Sequence, residues 1–140
     1  MPTMDAEVYL GNPLLKKANV KQEFTKEQIL EFVACKNDPV YFAKQHVKIV
    51  SLDEGLVPFQ PYDFQEKLIE RFHENRFNIC KMPRQTGKST TSVSYLLHYA
   101  VFNDNVNIGI LANKAATARD LLGRLQTAYE NLPKWMQQGI

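Results

Sequence analysis

An α/β fold carrying a parallel sheet is predicted by two observations. From Pro61 the apolar pattern reads helix, strand, helix, strand, helix. Between the first of those strands and the helix after it lies Gly87-Lys88-Ser89-Thr90, a turn whose residue types suit an anion at a helix N-terminus. The expected organisation is an arm and a small helical region over residues 1–60, followed over residues 61–140 by the first strands and helices of the sheet domain.

Residues 1–24 carry Pro2, Gly11 and Pro13 with little periodicity and read as an arm or strap. A helix is expected from Thr25, because Thr25 and Gln28 have capping-box spacing and Ile29, Leu30 and Val33 fall on one face. Asp38 as N-cap and Pro39 as first helical residue restart a helix, with Val40, Phe42, Ala43 and Val47 as its apolar contacts. Asp53, Glu54, Gly55 and Pro58 mark a turn. The run from Lys48 to Glu54 imitates a strand ending in the acidic pair that orders a metal and a water in ATPases. It precedes the Gly87 turn in the chain, however, where such a strand normally follows it, so a short strand entering a charged turn is the preferred reading.

Pro61 to Glu74 reads as a helix with Phe64, Leu68, Ile69 and Phe72 inward, Arg76 to Met82 as a strand, and Lys88 to Phe102 as a helix. Val106 to Ala112 reads as a second strand. Lys114 to Asn131 reads as an amphipathic helix that gathers Leu121, Leu122, Leu125 and Tyr129.

Composition excludes several classes. The 140 residues are 44% apolar and 23% charged, ordinary for a globular chain and unlike a disordered one. No apolar run approaches the ~20 residues that cross a bilayer, and no signal-peptide pattern opens the chain, so a cytosolic setting and no membrane partner are expected. A net charge of +2 is too small to speak for or against nucleic acid. Cys35 and Cys80 lie far apart and read as reduced, buried thiols, while His46, His73 and His98 lack metal-ligand spacing, so no metal is assigned to side-chain nitrogen or sulfur.

The candidate site is residues 82–90, Met82-Pro83-Arg84-Gln85-Thr86-Gly87-Lys88-Ser89-Thr90, read as a P-loop for ATP. Gly87 lets the backbone approach the phosphates, and the helix amides after it point at the anion. Lys88 is placed to reach the β- and γ-phosphates, and the Ser89 hydroxyl to ligate Mg2+. Arg84, Gln85, Thr86 and Thr90 complete the cradle. Arg84 is read either as a guanidinium stabilising the transferring phosphoryl group or as a salt bridge holding the loop. Met82 stands where the general GxxxxGK[ST] pattern has glycine, and Pro83 restrains the backbone beside it. An ordinary strand-to-helix turn would explain the same letters, but a helix that opens Ser-Thr-Thr-Ser is poor by propensity. Upstream, Gln65 can donate to and accept from an adenine edge while an aromatic ring, Phe64 or Tyr62, packs on the base face.

The series YDFQ, CKMPRQTGKST, NIGILANKAATARDLLGRLQ and LPKWMQQGI, with YLGNPLLKKANV and NDPVYFAKQHVKIV upstream, resembles the large terminase subunit of myovirus-type tailed bacteriophages over nearly the whole chain. That resemblance implies a motor ATPase that packages double-stranded DNA into a capsid, docked as a homo-oligomeric ring on the portal protein, working with a small terminase subunit in the host cytoplasm. It matches Gln65 to the adenine-reading glutamine, Lys88 and Ser89 to the phosphate and Mg2+ contacts, and Arg84 to a loop arginine proposed as a cis finger. A first loop residue other than glycine, here Met82, is a feature of that branch. The branch also has a Walker B strand with a catalytic glutamate, a coupling motif and a nuclease domain. None of these occurs in the sequence, which therefore reads as the N-terminal part of such a subunit, inactive by itself. Two rivals share the residues: a helicase-like nucleic-acid-dependent ATPase, and a non-catalytic module that docks on the portal or small subunit.

Overall fold

The computed structural model describes residues 8–83 and 87–139. Among these, α and β elements are mixed, as expected. Five helices, α1 (Lys26–Asn37), α2 (Pro39–His46), α3 (Asp63–Glu74), α4 (Lys88–Phe102) and α5 (Ala115–Glu130), are joined by two small hairpins. The hairpins are β1 (Val8–Tyr9) with β2 (Asn12–Lys16), and β3 (Lys48–Ser51) with β4 (Gly55–Pro58), each an antiparallel pair. Among the described residues no helix is long and apolar enough to cross a membrane.

The helix starts obey their local chemistry. Thr25 Oγ1 accepts from the Gln28 amide at 3.2 Å, and Gln28 Oε1 accepts from the Thr25 amide at 3.1 Å, closing the capping box of α1. Asp38 Oδ1 accepts from the amides of Val40 and Tyr41 at 3.0 and 3.1 Å, with Pro39 in the first turn where its missing N–H costs nothing. The turn between β3 and β4 is narrower than expected: Gly55, at φ +75°, already opens β4, and Pro58 ends it. Asp53 and Glu54 sit at the tip of this antiparallel hairpin, in keeping with a short strand entering a charged turn.

The core packs α4 against the other four helices. Leu97, Val101 and Phe102 of α4 meet Phe42, Ala43 and Val47 around α2, Ile69 of α3, Ala128 of α5, and Leu132 and Met136 beyond it. Phe102 makes edge contacts with Phe32 and Phe42 at centroid distances of 5.0 and 5.3 Å. His98, buried among these rings, has Nε2 2.9 Å from the Cys35 carbonyl, so that nitrogen carries the proton and donates it to α1.

The described part of the arm, from Val8 on, is a strap with a definable anchor. Leu10 and Gly11, both at positive φ, turn β1 into β2, and Leu15 is buried. The buried Gln137 side chain holds β2 down: its Oε1 accepts from the Lys16 amide at 3.0 Å, and its Nε2 lies 2.9 Å from the Leu14 carbonyl and 3.2 Å from that of Tyr129.

Several sequence expectations are corrected. Ile29, Leu30 and Val33 do form one face of α1, but that face is exposed, and α1 turns Cys35 and Phe32 inward instead. In α3, Ile69 is buried with Gln65, while Phe64 is exposed. In α5, Leu122 is exposed, and Ala128, a small residue at the α4 contact, is the buried one. Cys80 is an exposed thiol. The segments 76–82 and 106–112 form no ladder, and no parallel pairing occurs among the described residues. Parallel strands need neighbours and cover on both faces, whereas Phe77, Ile79 and Leu111 here are almost fully exposed.

His98 makes stability depend on pH. Burial holds its pKa below the usual histidine range, against a smaller opposing effect of its hydrogen bond to the Cys35 carbonyl. The unfolded chain therefore takes up a proton first as pH falls, so stability present above the unfolded value of ~6.5 is lost progressively through the lower folded value. The urea midpoint should be lower at about pH 5 than at about pH 7, and His98→Gln, which keeps an N–H donor, should flatten that difference. Equal pH slopes in both proteins would refute this assignment.

Candidate functional site

The α3–α4 junction is built on one backbone carbonyl. Gly87 is the N-cap of α4 and adopts the left-handed conformation, φ 76° and ψ 18°. An L side chain there costs ~1–2 kcal/mol, so glycine is the residue the turn requires. The Gly87 carbonyl accepts from the Thr91 amide at 3.0 Å, the first bond of α4, and from Thr91 Oγ1 at 2.8 Å. It also accepts from Gln65 Nε2 at 3.2 Å. The other end of the same amide, Gln65 Oε1, accepts from the Tyr62 N–H at 2.9 Å and so caps α3. One buried side chain thus ties the start of α3 to the start of α4.

Lys88 reaches back to Met82, its Nζ donating to the Met82 carbonyl at 3.2 Å. Since Thr91 is the first residue to donate along α4, the amides of Lys88, Ser89 and Thr90 precede the helix ladder and carry the positive end of its dipole. No acidic residue occupies the first turn to neutralise them. Ser89 and Thr90 are half-buried there, Lys88 is exposed, and Arg84, Gln85 and Thr86 lie outside the described residues. Thr90 also borders a cleft of about 610 Å³ between β3, α4 and α5, lined further by Lys48, Val50, Asp120 and Arg124. Asp120 and Arg124 pair across one turn of α5 at 3.2 Å.

Tyr62 and Phe64 stack beside this junction with centroids 5.9 Å apart and planes 13° from parallel, both rings exposed. The structure thus brings Gln65, Gly87 and Lys88 together with an exposed aromatic pair at the same end of α3. The start of α4 presents amides that precede its ladder, a lysine and two hydroxyls, groups of the kind that hold anionic oxygens, with two exposed rings at the nearby end of α3. No protein-family model matches the chain.

Sequence reasoning missed a second constellation. Glu31 on α1 accepts from Tyr41 Oη at 2.9 Å, lies 2.8 Å from His46 Nε2, and receives the Cys35 thiol at 3.7 Å. The His46 hydrogen bond chiefly lowers the Glu31 pKa, while burial, reinforced by the Glu31 charge, pushes the Cys35 thiol up to about 12. The available signal was the i, i+4 spacing of Glu31 and Cys35 on one helix, followed by the Asp38-Pro39 restart that turns the next helix back.

The junction predicts a non-additive pair of mutations. A Cβ at Gly87 would collide with the Gln65 amide, so Gly87→Ala suffers both the left-handed backbone and that contact. It should lower stability by about 1–3 kcal/mol, and by less in a Gln65→Ala background, where only the backbone penalty remains. Denaturant titration of the four proteins measures the coupling; strict additivity would exclude the contact.

Proposed function

We propose that the chain binds ATP with Mg2+ at residues 82–90 and supplies the nucleotide site of a large-terminase-type motor for packaging double-stranded DNA. The observation that carries the reading is the joining of Gln65 to Gly87: the glutamine proposed to read adenine and the glycine of the phosphate loop share one hydrogen bond. The sequence series around both residues supports the DNA-packaging part, and with it the portal protein, small terminase subunit and ring assembly as partners. A parallel P-loop sheet that takes up segments 76–82 and 106–112 belongs to the same proposal.

In this reading the helix amides and Lys88 hold the phosphates, and Lys88 exchanges the Met82 carbonyl for a phosphate oxygen. Ser89 is the side-chain ligand for Mg2+, which when bound neutralises charge on the β- and γ-phosphates. Arg84 serves the transferring phosphoryl group. The Gln65 amide, engaged at both ends, exchanges its bond to Gly87 for an adenine edge, with Phe64 or Tyr62 against the base. Base occupancy and the position of the loop glycine are thereby linked through one side chain.

Residues 1–140 should bind Mg2+-ATP weakly, and Lys88→Ala should weaken binding by about 10- to 100-fold, the value of one charge-assisted contact. Turnover by this chain should be negligible, because the acidic pair that follows an apolar run, Asp53-Glu54, is a hairpin tip preceding the loop. Isothermal titration and a phosphate-release assay test both points. Unchanged affinity in Lys88→Ala would exclude the phosphate loop, and strong hydrolysis lost in Lys88→Ala would overturn the dismissal of Asp53-Glu54.

A further inference from the structure

Away from the phosphate loop, three side chains of three metal-binding chemistries converge between α1 and α2. One carboxylate oxygen of Glu31, the Cys35 sulfur and one ring nitrogen of His46 all lie within 4.8 Å of one another. From these positions we infer a zinc-class divalent cation site at Glu31, Cys35 and His46, with one coordination position left to water.

Geometry carries the inference. The Sγ···Oε1 distance of 3.7 Å is close to that between two ligands of one tetrahedral zinc, and the Nε2···Oε1 distance of 2.8 Å needs only a small opening to reach it. Glu31 and Cys35 stand one turn apart on a single helix, so their spacing is set by α1 itself. His46 closes the last turn of α2, its ring held edge-on by Trp135 at 6.3 Å and tilted against Phe42 at 6.2 Å, with Nε2 aimed at Glu31. Neighbouring support is present: Tyr41 Oη donates to the other carboxylate oxygen, Oε2, leaving Oε1 to face the cluster. Access is present too, since Cys35 is buried beneath while the Glu31 side chain is about 30% exposed and that of His46 about 14%.

The donor set chooses the metal. One sulfur and one imidazole exclude magnesium and calcium, which take oxygen, and favour zinc or its spectroscopic substitute cobalt. Binding replaces the hydrogen bonds that Glu31 makes to the thiol and imidazole, and one proton leaves Cys35 for solvent as the metal–sulfur bond forms. The cation then clamps α1 to α2 beside the core.

Titration of the purified chain with Co2+, followed by Zn2+ competition, tests the site. One equivalent of Co2+ should produce a thiolate-to-cobalt charge-transfer band together with tetrahedral d–d absorption, and Zn2+ should abolish both. Cys35→Ser should remove the band, while Cys80→Ser, which alters the exposed thiol, should leave it. Should Cys35→Ser fail to fold by circular dichroism, Glu31→Gln and His46→Gln at the partly exposed positions give the same test through loss of affinity. Tyr41→Phe should weaken binding by roughly 10-fold, as loss of a ligand-orienting hydrogen bond does. Absence of a thiolate band, a band surviving in Cys35→Ser, or unchanged affinity in both glutamine variants would overturn the site and leave a hydrogen-bonded cluster only.

Discussion

The Gly87 carbonyl is the point on which the arrangement of α3 and α4 depends. It gathers donors from both helices, and the geometry that lets it do so exists only because Gly87 occupies a backbone region closed to other residues except at a cost. Gln65 adds a constraint of a different kind. A buried amide must have both ends satisfied, and here one end caps α3 while the other holds α4. Since α4 supplies Leu97, Val101 and Phe102 to the core, the orientation fixed at its first residue is carried to the packing of α2, α3 and α5.

How much of this was legible in the sequence follows from the range of the forces. The caps of α1 and α2 were readable because Thr25–Gln28 and Asp38–Pro39 are decided within one turn. The inward face of α1 was not, because Ile29, Leu30 and Val33 satisfy a helical stripe as well as Phe32 and Cys35 do, and only the neighbouring helices decide between them. Gln65 shows the same limit at the site: that its amide is buried and bonded to the Gly87 turn is decided by a residue 22 positions away. The turn at Gly87 was legible from residue type, and Gly87 does cap α4 in the left-handed conformation that glycine allows. Gln137 and the Glu31 cluster were not, since their partners lie on other elements.

The hairpin that forms and the parallel sheet that does not among the described residues differ for one reason. The β3–β4 hairpin forms from a local turn with Gly55 at positive φ, so its register is set within a few residues and needs no distant strand. Segments 76–82 and 106–112 carry the apolar residues of buried strands, but parallel pairing draws on a whole sheet and its covering layers. Phe77, Ile79 and Leu111 of these segments face solvent instead, while Val106, Ile108 and Ile110 are half-buried. Apolar content favours burial but does not specify the neighbour that provides it.

The Gln137 anchor bears on the order in which the chain reaches its final form. Its bonds to Leu14 and Lys16 close a loop of more than a hundred residues, with sequence separations of 123 and 121. Loop closure of that length is unfavourable until the intervening helices have condensed and brought the two segments near. The strap is therefore expected to dock late, on a core already condensed. In unfolding it detaches early, and its departure strips the Gln137 amide of partners that it holds in a buried place. A short polar grip of this kind makes the Lys16 amide, which donates to Gln137 Oε1, a reporter on the turn beneath it: its protection from exchange should follow how often that grip opens.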